Sequence, residues 1–94
     1  MSSGRLLVFR PDQALPTEVM WQDFDRNEKE PGPNTVKWIV GGPIGRATLT
    51  YAGKKRFVYY PEDFDRGILP INEEASKICG FPMFGVFVIN ILKE

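Results

Sequence analysis

Few residues in this chain could do chemistry. Cys79 is the sole thiol, and there is no histidine. A thiol becomes a nucleophile when an imidazole, a nearby cation or a helix N-terminus lowers its pKa. Cys79 instead closes an apolar helix face just before Gly80, which predicts a buried structural thiol. Two groups of carboxylates offer themselves as acid/base pairs: Glu62, Asp63 and Asp65, and separately Glu73 and Glu74. A solvated acidic loop accounts for the first group and a dipole-matched helix start for the second, so general acid–base catalysis has no constellation to work with. The carboxylates lack the alternating spacing of a calcium loop, and no Cys/His set exists for zinc. The sequence therefore predicts a protein that is not an enzyme and holds no metal or cofactor.

The cations suggest binding. Lys54, Lys55 and Arg56 sit together, with Arg46 upstream and the aromatics Phe57 and Tyr59 directly after. Basic tips beside sheet aromatics can hold a phosphate backbone while bases stack. Twelve Lys and Arg against twelve Asp and Glu give a net charge of zero, which weakens that reading. A nucleotide is a second option, with Gly41, Gly42, Gly45 and Arg46 near a phosphate, or with Arg46 and Lys55 of two chains framing a ligand between subunits. The glycines follow a helix, however, and its negative end is the wrong one for a phosphate. A protein partner is the third and leading option. Phe57 and Tyr59 would form the centre, with Lys54, Lys55, Arg56, Glu62, Asp63 and Asp65 as a charged rim.

The elements that must position these residues are legible in outline. Asn72 can cap a helix through its side-chain oxygen, Glu73 and Glu74 match the helix dipole, Gly80 suits a left-handed C-cap, and Pro82 forbids continuation. Asn34 repeats the capping logic for a helix over 35–40 that stops at Gly41-Gly42-Pro43. Leu6 to Phe9 are all apolar, as are most of Met83 to Leu92, the signature of strands covered on both faces. Residues 44–51 alternate, Gly53 supplies a tight turn, and 55–60 return as the partner strand. Residues 17–21 admit either a strand or a helical turn. Residues 1–4 read as a loose end and 22–34 as a polar loop. The expected fold is a single α+β domain over 1–94: a four- to five-stranded, mostly antiparallel sheet with two short helices.

Two such helices, each roughly 10 Å long, cover little of a sheet. If both lie on one side, Tyr51, Phe57 or Tyr59, and Phe84 or Phe87 line the other as an exposed aromatic patch. A partner or a second copy, in a homodimer or higher oligomer, would then cover it, the alternative being long loops folded back over this face. One cysteine fits a reducing compartment, the run 6–9 is too short for a secretory core, and no stretch suits a membrane helix, so a cytoplasmic protein is expected.

Three short motifs carry a resemblance. Val40-Gly41-Gly42 closes a helix with Ile44 two residues on, Leu69-Pro70-Ile71-Asn72 leads into Ala75, and Gly85 precedes an apolar strand. Over roughly Thr35 to Ile89 the chain resembles a family of phages, plasmids and other mobile elements, catalogued as domain of unknown function 3846. Pro43, where a bulky residue is common, and the polar segment 22–34 depart from that pattern. The resemblance implies a small accessory protein that binds and neutralises a host factor, such as one of a defence system. A multimeric sponge for a nucleotide second messenger and a nucleic-acid-binding accessory protein are the alternatives.

Overall fold

The apolar runs of the first and last strands are answered by helices on opposite faces of one sheet. In the computed structural model, which describes residues 2–23 and 33–92, the elements are β1 (Ser2–Phe9), β2 (Thr17–Asp23), α1 (Pro33–Val40), β3 (Ile44–Tyr51), β4 (Lys54–Pro61), α2 (Glu73–Cys79) and β5 (Phe87–Leu92). A single 3₁₀ turn, Phe64–Arg66, precedes α2. The five strands form one antiparallel sheet in the order β2-β1-β5-β4-β3.

Side chains alternate along each strand, and the core divides accordingly. On one face Leu6, Val8, Tyr59 and Val88 pack against Val36 of α1, with Ile39 and Val40 beside it. On the other, Phe9, Val58, Phe87 and Ile89 pack against Ala75 of α2 and against Met83, with Ile78 at the margin. This arrangement corrects the expectation of an uncovered aromatic face. Tyr59 is 3% exposed and Phe87 is fully buried, while Tyr51, Phe57 and Phe84 are half-buried.

Other boundaries shift as well. The first strand begins at Ser2, so residues 2–4 are not loose: they pair with 21–23, and Gly4 also pairs with Leu92. Residues 17–21 are strand, and β2 extends through Asp23 into the expected polar loop, whose middle, 24–32, lies outside the described residues. The first helix starts at Pro33, a residue suited to the first helical position because its missing N–H has no partner there. Asn34 is therefore inside the helix and is not its cap. The last strand starts at Phe87 and not at Met83, because Gly85 takes a positive φ of 82°. A Cβ at Gly85 would come 2.8 Å from Pro61 and 2.9 Å from Leu69, so neither the backbone angle nor the space admits a larger residue.

α2 conforms to its sequence signals. The side chain of Asn72 accepts from the Ala75 N–H at 3.1 Å, and Gly80 closes the helix in the left-handed region, donating to Ser76 O at 2.9 Å. Asn72 does more than cap. It is 1% exposed, and its amide nitrogen donates to Phe9 O and to Gly85 O, each at 2.8 Å. Its backbone N–H donates to Met83 O at 2.8 Å, and its carbonyl accepts from the N–H and hydroxyl of Ser76. Ser76 Oγ in turn accepts from the Met83 N–H at 2.8 Å. One residue thus ties the end of β1, the start of α2 and the approach to β5.

Asn72→Asp tests this network, since aspartate caps as well as asparagine but presents oxygen to two buried carbonyls. We expect Asn72→Asp to destabilise at least as much as Asn72→Ala, by about 3 kcal/mol or more, measured by urea unfolding. The β3–β4 turn supplies a converse test. Ala52 and Gly53 both have positive φ, 53° and 81°, as a type I′ turn requires. Asparagine tolerates that region better than alanine, so Ala52→Asn should raise stability by about 0.5–1 kcal/mol in the same assay.

Candidate functional site

β3 is one of the two outer strands of the sheet, and the surface beside it is apolar. A groove of about 300 Å³ opens there on the α2 face, between Ala47 and Leu49 of β3 and the end of α2 at Ile78 and Cys79. Its wall is an aromatic row. The Tyr60 ring meets Phe64 edge-on at 5.5 Å between centroids, and Phe64 meets Phe81 at 6.4 Å. Sequence places each of these. Tyr60 faces the groove because it alternates with the buried Tyr59, and the 3₁₀ turn projects Phe64 back over it. Phe81 follows the Gly80 cap and remains 51% exposed. Gly45, cross-strand from Tyr60, leaves the room its ring fills, since a Cβ there would overlap the ring. Met83 and Phe87 lie in the groove floor.

A second cleft, about 370 Å³, lies at the C-terminal end of α1, among Val40, Gly41, Pro43, Leu69 and Val86. It is larger, but its one charged side chain, Asp63, is already paired with Arg66 at 3.3 Å. Beyond Asp63 its lining is proline, glycine and aliphatic residues, which give shape but no further polar side chain. The β3 groove adjoins a strand edge, which adds directional polar groups.

The residues singled out from sequence separate in space. Lys54 and Lys55 are exposed at the hairpin tip, whereas Arg56 is part-buried and donates from Nε to Tyr51 O at 3.0 Å, bracing the turn. Glu62, Asp63 and Asp65 lie beyond the other end of β4, roughly 20–25 Å from the tip at the rise of an extended strand. They do not rim the same patch as the lysines. Tyr59 is buried under α1, and the guanidinium of Arg46 lies 4.2 Å from the centroid of the half-buried Phe57 ring. Neither aromatic offers the open platform expected of it. Arg46 and Lys55 share a face but are separated by four residues of strand, roughly 13 Å, too far for one small anion within a single chain. The N–H groups of Gly41 and Gly42 both donate to Lys37 O, at 2.7 and 3.2 Å.

Sequence reading missed Tyr60, Phe64, Ile78 and Phe81 as a set. The usable signal was Phe81 itself, an aromatic between a helix-capping glycine and Pro82, where no regular element can bury it. Among the described residues no three His, Cys, Asp or Glu side chains gather to hold a metal ion, and no helix is long and apolar enough to cross a membrane. No family model, curated protein or solved structure matches the chain.

Cys79 reports on this groove. Burial pushes its thiol up from the ordinary value, so the folded chain keeps that proton to higher pH than the unfolded chain does. Stability from this source is complete below the ordinary thiol value and is lost as the pH rises through the raised one. The alkaline fall in Tm should therefore be shallower in Cys79→Ala. At pH 8, alkylation of Cys79 should be slower in the folded protein than in urea, read by mass spectrometry.

Proposed function

We propose that this chain is a non-catalytic binding protein that engages another protein through the groove beside β3. The observation that carries this is the exposed aromatic Phe81 at the mouth of an apolar groove. Ligand-binding surfaces of this kind combine a concave apolar lining with a few directional polar groups. The single thiol is held protonated by burial, which supports a role without nucleophilic catalysis. The resemblance to proteins of phages and other mobile elements supplies the setting: the partner is a host protein in the cytoplasm, one of a defence system, and occupying its surface is what inhibits it.

The centre of the interface moves accordingly, from Phe57 and Tyr59 to Phe64, Ile78 and Phe81. The exposed Lys55 gives it a cationic flank. A nucleotide sponge is less well supported, because the Gly41 and Gly42 N–H groups are already committed to Lys37 O. Base stacking on Tyr59 would require α1 to leave the sheet.

The test compares wild type with Phe81→Asp as tagged baits in a lysate of the native host. Phe81 is half-exposed, so the variant keeps its fold, checked by Tm. We expect at least one protein held by wild type and released by roughly tenfold or more in Phe81→Asp, quantified by mass spectrometry. Identical recovery by the two baits would refute the groove as the binding surface.

A further inference from the structure

The edge of β3 is continuous with the groove, and its hydrogen-bonding pattern can be worked out. The two-residue turn at Ala52-Gly53 makes Tyr51 and Lys54 a hydrogen-bonded pair, and such pairs alternate along an antiparallel ladder. Residues 45, 47, 49 and 51 therefore bond to β4. Two observations at the far end agree. Glu62 N–H donates to Pro43 O at 2.9 Å, so the odd-numbered carbonyls point inward. Pro61, which has no N–H, stands opposite Ile44 in a non-bonded pair, where none is needed. The backbone groups of Ile44, Arg46, Thr48 and Thr50 consequently face away from the sheet. Among the described residues no strand pairs with them. Arg46, Ala47, Thr48 and Thr50 are all exposed, and β3 has no proline or positive φ to blunt the edge.

Resting on the binding-protein reading above, we propose that β3 takes an extended segment of the partner as a sixth strand, and that this segment alternates large apolar with acidic residues. The alternation follows from the pleat. Side chains of an added strand set beside Ala47 and Leu49 fall on the α2 face and lean over the small Ala47 side chain into the groove walled by Tyr60, Phe64 and Phe81. The intervening side chains fall on the α1 face, alongside Arg46 and the exposed Lys55, which stands opposite Thr50. From Ile44 to Pro61 the hairpin carries four cations, Arg46, Lys54, Lys55 and Arg56, and no acid. The rest of this neutral chain is correspondingly acidic. A segment bearing Asp or Glu at alternate positions complements the hairpin, and one bearing Lys or Arg is repelled by it. Main-chain bonds give the pairing its affinity, and the groove together with the hairpin charge gives it selectivity.

The experiment titrates a capped octapeptide alternating Leu or Phe with Asp or Glu into the isotopically labelled full chain, with amide exchange followed by NMR. Saturation should slow exchange at Arg46, Thr48 and Thr50 by roughly tenfold or more, leaving 45, 47 and 49 little changed. Thr48→Pro removes only an outward N–H and should weaken binding by roughly tenfold with Tm nearly unchanged. N-methylating the peptide amides that face β3 should abolish binding, while methylating those that face away should not, a control that leaves the protein unaltered. Replacing every acid in the peptide by lysine should weaken binding by roughly tenfold at low salt and less at high salt. Strand addition is overturned if the peptide binds without protecting β3, or binds equally in both N-methylated forms. It is equally overturned if the same amides become protected in a concentration-dependent way without peptide, since the occupant is then a second copy of this chain. If β3 stays unprotected while partner capture still depends on Phe81, strand addition falls and the binding-protein reading stands. If neither is seen, both fall.

Discussion

A buried amide at the end of the sheet sets the geometry of everything around it. Asn72 makes six hydrogen bonds, three through its side chain and three through its backbone, to Phe9, Ala75, Ser76, Met83 and Gly85. In a low-dielectric interior such a network is favourable only when each member is satisfied, which makes it selective for one arrangement of strand, helix and return loop. It fixes where α2 begins and hence where α2 ends, at Cys79 and Gly80. The position of Phe81 follows from that. The groove beside β3 is therefore specified from its far side by a residue that does not line it.

Much of the fold was legible in the residues. The cap at Asn72 with two glutamates after it, the left-handed glycine at 80 and the turn around Gly53 are local signals, each with a local physical cause, and each element lies close to its signal, the return strand starting one residue earlier than expected, at Lys54. What was less legible depends on distant partners. The short alternation over 17–21 could not be separated from a helical turn, because its strand character comes from pairing with β1. Residues 2–4 looked loose because Ser2-Ser3-Gly4 has no pattern of its own and is ordered by its neighbours in the sheet. Asn34 looked like a cap because the stronger competing cue, Pro33 at the first helical position, was read only as a breaker.

The candidate site was harder to see for the same reason. Four apolar residues in a row at 6–9 imply cover on both faces, and the simplest way to supply it is one helix on each. That inference was available from sequence, and assuming both helices on one side led to an exposed patch at Phe57 and Tyr59, whereas α1 buries Tyr59 and Phe57 stays half-buried beneath Arg46. The groove gathers residues from β3, β4, a 3₁₀ turn and the end of α2, which no spacing rule brings together. Of the proposed surface, only the cationic hairpin, contiguous in sequence, was singled out in advance.

The place of β5 in the sheet bears on how the protein acquires its shape. β5 lies between β1 and β4, yet it follows every other described element along the chain. The hairpins β1–β2 and β3–β4 are local and can form early, but they share no ladder until β5 arrives to join them. The two ribbons therefore have no backbone pairing with one another except through this central strand, and the single sheet exists only once it is in place.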